Sequence, residues 1–219
     1  MVELIHDLDA ATVRRNLERA REEISAAGRD PDEVQILAAV KYVPLEALGA
    51  LADAGVELVG ENRAQELAAK AEAYPGRFTW DFIGHLQSRK VRQVLPLVRY
   101  VHSVASDSVL EQLGRHGSDR TEVMVEVNVA GEPGKSGVAV AELSEFLERC
   151  PVKVVGLMTM PPLARTPEDS RRHFVTLRRL AERHNLPQLS MGTSQDYLVA
   201  VQEGATIVRL GTSLYAHSR

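Results

Sequence analysis

Val34-Gln35-Ile36-Leu37-Ala38-Ala39-Val40-Lys41 is a short apolar run that ends on a lysine. It is too short and too β-branched for a helix, so it predicts a strand. Upstream, from about residue 9 to residue 27, Val13, Leu17, Ala20 and Ile24 recur at helical spacing, with Arg, Glu and Asn on the other face. Gly28 and Pro31 stop that helix. Downstream, Pro44 opens a helix bearing Leu45, Leu48 and Leu51, and Gly55 closes it. Residues 57–59 form a second, weaker strand.

The alternation continues along the chain. A helix runs through Ala64, Leu67 and Ala71, then residues 79–83 read as a strand and 88–97 as its helix. Residues 100–103 are a fourth strand, followed by a helix from about Asp107, and 121–129 a fifth. Its helix carries Leu143, Phe146 and Leu147 and ends at Cys150-Pro151. Residues 153–157 make a sixth strand. Thr166-Pro167-Glu168-Asp169 then starts a helix, with a Thr cap, Pro in the first turn and acids behind it. Residues 188–190 are a weak seventh strand, 194–202 a helix and 206–210 an eighth strand. With no long linker or low-complexity tract, this pattern predicts an α/β fold, a single (β/α)8 TIM-type barrel with an extra N-terminal helix. Residues 1–219 are expected to form one domain, with residues 1–30 packing on the barrel. An open doubly wound sheet is the rival architecture, and the count of eight strands favours the barrel.

Composition narrows the function classes. The chain has 219 residues, a net charge of −4, 44% apolar and 26% charged residues, which suits an ordinary soluble domain rather than a nucleic-acid binder with a basic stripe. Cys150, the only cysteine, allows no intrachain disulfide and reads as a small packed side chain rather than a nucleophile. The start of the chain lacks the basic and apolar regions of a signal peptide, and no apolar run reaches the roughly 18 residues that span a bilayer. A cytoplasmic location is the expectation.

Sites in such barrels lie at the C-terminal ends of the strands. Here these positions carry Lys41, Asn62, Gly84-His85, Ser103, Asn128, Met158, Ser190 and Arg209. A lysine at the rim of an apolar barrel is expected to be partly desolvated, which favours the free amine that condenses with an aldehyde. A solvated rim lysine is the alternative. Ser190-Met191-Gly192-Thr193-Ser194 and Arg209-Leu210-Gly211-Thr212-Ser213 follow the last two strands, where barrels often hold phosphate. Glycine admits close backbone approach and hydroxyls add donors. Thr193 and Ser194 could equally cap the next helix. Gly131-Glu132-Pro133-Gly134-Lys135-Ser136 imitates a nucleotide loop, but only two residues separate its glycines where four are needed.

Several motifs resemble the pyridoxal phosphate homeostasis protein family. They are Ala38-Ala39-Val40-Lys41, the run from Val59-Gly60-Glu61-Asn62 to Glu66, and Trp80-Asp81-Phe82-Ile83-Gly84-His85 continuing to Lys90. Gly156-Leu157-Met158-Thr159-Met160, Leu189-Ser190-Met191-Gly192 with Ser194 and Asp196, and Val208-Arg209-Leu210-Gly211-Thr212 complete the set. They span nearly the whole chain in order. The family is similar to the isolated barrel domain of alanine racemase-type enzymes. The resemblance implies pyridoxal 5'-phosphate (PLP), a vitamin B6 form, held as an imine (Schiff base) on Lys41. It implies phosphate contacts from Ser194, Gly211 and Thr212, Arg209 at the pyridine nitrogen, and Asn62, His85, Met158 and Ser190 lining the pocket. Thr193 stands where the family often has Met, and Ala216 where Gly is common.

An arginine at the pyridine nitrogen donates a hydrogen bond but disfavours a second positive charge, so it makes a weak electron sink. The racemases' second acid/base, a Tyr from a further domain, has no counterpart beyond Tyr42 or Tyr215, each of which reads as structural. The expectation is therefore a monomeric PLP carrier acting in PLP homeostasis and amino-acid balance, with PLP-dependent apo-enzymes as recipients. No catalytic residue, metal, nucleic acid or membrane is expected. The alternative is a weak PLP-dependent amino-acid racemase.

Overall fold

The computed structural model describes residues 4–216. Eight parallel strands run in chain order: β1 (Gln35–Ala39), β2 (Leu58–Glu61), β3 (Thr79–Phe82), β4 (Tyr100–Val104), β5 (Glu122–Asn128), β6 (Lys153–Met158), β7 (Gln188–Thr193) and β8 (Ile207–Leu210). Each pairs with its neighbours in sequence, and β8 returns to β1 with Ile36 opposite Val208 and Ala38 opposite Leu210. The sheet is a closed barrel, as expected, and the open sheet is excluded. The helices are α1 (Ala10–Ala26), α2 (Leu48–Asp53), α3 (Ala64–Ala73), α4 (Val91–Val94), α5 (Asp107–His116), α6 (Leu143–Glu148), α7 (Arg171–Arg183), α8 (Tyr197–Gln202) and α9 (Thr212–Tyr215).

Strand alternation divides the barrel into two packed layers. Ala38, Val59, Phe82, Val101, Val125, Leu189 and Val208 face the helices. Leu37, Met124, Met158 and Ile207 form a separate cluster inside the barrel. α1 begins at the Asp9 cap, whose carboxylate accepts from the Ala11 and Thr12 amides, and buries Val13, Ala20 and Ile24. Among the described residues no helix is long and apolar enough to cross a membrane.

Several elements differ from the expected ones. β2 runs on through Gly60 and Glu61. Gly60 reads as a strand end but is needed inside the strand, because a Cβ there would lie 2.4 Å from Leu37 Cδ2. β7 continues past Ser190 to Thr193 and delays α8 to Tyr197. The pairing of β7 with β8 shifts register between Ser190 and Thr193, around Gly192 at φ +90°. A two-residue strand, Val138–Ala139, pairs outside β5, and α9 follows β8; both are too short to leave a periodic signal.

Candidate functional site at the barrel mouth

The end of β1 is tied down from both sides. The Tyr215 hydroxyl donates to the Ala39 carbonyl at 3.2 Å, and Lys70 Nζ donates to the Val40 carbonyl at 2.9 Å. Lys70 is also paired at 2.6 Å with Glu61, and both side chains are buried between β2 and α3. The other Glu61 oxygen accepts the Asn62 amide at 2.7 Å and the Arg63 amide at 3.3 Å. One buried ion pair thus holds the backbone leading to Lys41 and to Asn62.

Lys41 itself is exposed, which corrects the expected desolvation. β1 stops at Ala39 and the chain turns at Lys41-Tyr42. Its Nζ lies 4.8 Å from the centroid of the half-buried Tyr42 ring. The Tyr215 hydroxyl is committed to Ala39, and burial pushes its phenol above the ordinary value, so a structural tie is its role here.

Arg209 is buried inside the barrel at the end of β8. Its Nη1 donates to the Ser190 carbonyl at 2.7 Å and to Ser190 Oγ at 2.5 Å. Its Nη2 donates to the Thr159 carbonyl and to Met160 Sδ, each at 2.9 Å. Among the described residues no carboxylate pairs with it, and burial lowers its pKa to about 10, still charged at neutral pH. The Nε–H makes no hydrogen bond among the described residues.

The two glycine-bearing loops meet at Ser194. Its Oγ accepts the Gly211 amide at 3.1 Å and the Ser213 amide at 3.2 Å, and lies 2.9 Å from Ser213 Oγ. Two backbone N–H groups and two hydroxyls are gathered there, with both amides engaged by Ser194 Oγ; groups of this kind bind phosphate monoesters at helix starts. Thr193 plays the local part: its amide and hydroxyl both reach Asp196 Oδ1, at 2.8 and 3.1 Å. Thr212 is exposed at the start of α9.

The other expected site residues are placed apart. Met158 is buried in the apolar cluster inside the barrel. Asn62 and His85 share a cavity of about 180 Å³ with Arg63, Gln87, Arg89 and Lys90, and His85 is exposed. Asn62 Oδ1 is buried without a partner, an unmet hydrogen-bonding group at the end of β2. Thr159, Met160, Asp81 and His102 join the site without having been expected, while Ser213 belongs to the loop read as a phosphate site. Polar Asp81 between Trp80 and Phe82, and His102 between Val101 and Ser103, are out of place in buried strands, and that was their signal. Cys150 is half-buried and burial raises its thiol pKa, as suits a packed residue. Among the described residues no cluster suits a metal ion.

A closed barrel with a rim lysine, a buried arginine and a two-loop anion cup defines a class, and comparison with known proteins agrees with it. Residues 8–219 match the family described as alanine racemase, N-terminal domain. The chain is 39% identical over 219 residues to the pyridoxal phosphate homeostasis protein of Aquifex aeolicus, covering 94% of this chain and 96% of that one. Among solved structures, a protein of unknown function from Bifidobacterium adolescentis superposes with a TM-score of 0.85 at 32% identity, covering 98% of both chains. PipY of Synechococcus elongatus, solved with PLP bound, superposes with a TM-score of 0.79 at 30% identity, covering 93% of this chain and 100% of that one. The chain belongs to the pyridoxal phosphate homeostasis protein family.

Proposed function

We propose that this chain binds PLP at the barrel mouth, attaches it reversibly through the Lys41 amine, and serves PLP homeostasis by holding and releasing the cofactor. The observation that carries the reading is the convergence at the C-terminal strand ends of buried Arg209, whose Nε–H is unpaired among the described residues, and the Ser194 cup, with Lys41 following β1. When bound, PLP supplies an aldehyde that amines capture and a ring that withdraws electrons. Arg209 offers the pyridine nitrogen a hydrogen bond while opposing its protonation, which weakens that withdrawal. Ser194, Gly211 and Thr212 hold the phosphate, with Ser213 beside them. Asn62, Ser190, His85 and Met158 bound the pocket, and the orphaned Asn62 Oδ1 is the group that most needs a ligand.

A carrier reading accounts for the exposure of Lys41, since an amine open to solvent meets incoming cofactor and competing amines alike. Catalysis at Cα requires exclusion of water and an opposed acid/base, and neither Tyr42 nor Tyr215 is placed for that role. Residues 1–219 act as one binding unit, monomeric and cytoplasmic, and hand PLP to apo-enzymes. Borohydride reduction of the protein mixed with PLP, followed by peptide mass mapping, tests the attachment. The label is expected on Lys41 and absent from Lys41→Ala; a label retained by that variant defeats the assignment. Incubation with L-alanine in deuterated water tests the carrier role. Cα exchange well above that of free PLP would establish the racemase alternative instead.

A further inference from the structure

The barrel interior holds more polar groups than cofactor contact requires. Five of them form an unbroken line. Arg99, just before β4, donates to both oxygens of Asp81, at 3.1 and 2.6 Å. The Tyr100 amide adds a bond to Asp81 at 3.2 Å. Asp81 Oδ2 lies 3.0 Å from His102 Nε2, and His102 Nδ1 lies 2.8 Å from Ser190 Oγ. Ser190 Oγ accepts from Arg209 at 2.5 Å. Asp81, His102 and Ser190 are almost wholly excluded from solvent.

The chemistry of the ends fixes the direction of every bond between them. Arginine only donates, and an ionised carboxylate only accepts. Hydrogen bonds from His102 and Arg99 outweigh the effect of burial and keep the Asp81 carboxyl below its ordinary range. His102 must then carry its proton on Nε2, facing Asp81. Burial opposes a second proton on the ring and lowers its pKa despite Asp81. Nδ1 is left as an acceptor, and Ser190 Oγ is its partner. The Ser190 hydroxyl therefore points at His102 and turns its lone pairs to Arg209. No bond in the line can reverse without setting two donors or two acceptors face to face.

We propose that Asp81 and His102 are positioning residues that act through Ser190, a one-directional hydrogen-bond relay anchored on Arg99 that fixes Arg209 and so governs how tightly the pyridine end of PLP is held. The inference rests on the PLP reading above. It gives a role to two strand residues that touch neither the rim lysine nor the anion cup.

Two measurements test it. In the protein without PLP, long-range proton–nitrogen NMR of the His102 ring should show an unprotonated Nδ1 and a protonated Nε2 at neutral pH. Asp81→Asn presents an amide donor to Nε2 and should reverse that tautomer. An imidazolium or an Nδ1–H ring in the unmodified protein overturns the relay. With PLP bound, Asp81→Asn and Ser190→Ala should each speed PLP release about tenfold, the effect of losing one hydrogen bond to a charged group. Leu177→Ala, in the helical layer, should lower the melting temperature without that acceleration. Release at the unmodified rate from both relay variants, or equal acceleration in Leu177→Ala, overturns the positioning role. If the unmodified protein takes up no PLP, the binding reading fails, and the NMR result still decides the relay.

Discussion

Lys70 Nζ donates to the carbonyl of Val40 at 2.9 Å, one residue before the lysine at the rim. The same ammonium is paired with Glu61, whose second oxygen holds the Asn62 and Arg63 amides. Removing one member of a buried pair strands the other charge and typically costs about 3–5 kcal/mol. Lys70→Met should therefore lower the urea-derived stability by roughly that amount. Glu61→Leu combined with Lys70→Met should cost less than the sum of the single changes, since no charge is left alone. Additive losses would show that the pair is not a unit. PLP uptake should weaken in Lys70→Met even where it remains folded, because the turn carrying Lys41 loses its tie.

The cup at Ser194 makes a separate claim. Its hydroxyl organises the Gly211 and Ser213 amides without contacting Lys41 in the hydrogen-bond network. Ser194→Ala should raise the PLP dissociation constant about tenfold, the order expected for one charge-assisted hydrogen bond. Inorganic phosphate should compete with PLP in the unmodified protein and compete less well in the variant. An absorbance titration with added phosphate reads both effects. Undiminished competition in Ser194→Ala would place the anion elsewhere.

Much of this arrangement was legible in the sequence, for identifiable reasons. The alternation of apolar runs with helical stripes carried the eight-strand barrel, because each strand buries one face against helices and the other inside the barrel. Lys41, Ser190 and Arg209 stood out as polar residues ending such runs. The sequence left a solvated Lys41 open as the alternative to a desolvated one and could not decide between them, since its exposure depends on a turn beginning two residues after the strand ends. The relay was hidden for a different reason. Asp81, His102 and Ser190 come from three strands, and only barrel closure brings them together. The Lys70–Glu61 pair was masked because a lysine on an amphipathic helix ordinarily faces water.

Buried His102 and Asp81 also set a pH dependence of stability. The folded imidazole has a pKa below 6.5, the value ordinary for an unfolded chain. As pH falls below about 6.5 the unfolded chain takes up a proton that the folded one refuses, so stability declines. The slope for one such group is about 1.4 kcal/mol per pH unit. Asp81 extends the decline: its folded carboxyl lies below 3.8, so its contribution is present above 3.8 and lost as pH falls through the folded value. His173, lowered chiefly by burial and then by Arg172, acts in the same direction. Urea titrations between about pH 7 and pH 5 should give a shallower slope for His102→Asn than for the unmodified protein. Parallel slopes would mean that His102 is protonated in the fold.

Two glycines with left-handed backbone separate strain from site geometry. Gly192, at φ +90°, is the penultimate residue of β7, two positions before Ser194. A Cβ there would come within 2.6 Å of Ala200 Cβ and 2.9 Å of Tyr197 Cα. Gly131, at φ +64°, lies in the loop after β5, where a Cβ would meet nothing within 4 Å. Both substitutions by alanine meet the left-handed cost of about 1–2 kcal/mol. Gly192→Ala adds overpacking of about 1–3 kcal/mol, because backbone and helix must shift. That shift moves α8 and the loop carrying Ser194, so PLP affinity should fall along with stability. Gly131→Ala should lose only the smaller stability increment and bind PLP normally. Equal PLP affinity in the two variants would detach the Ser194 loop from the cofactor site.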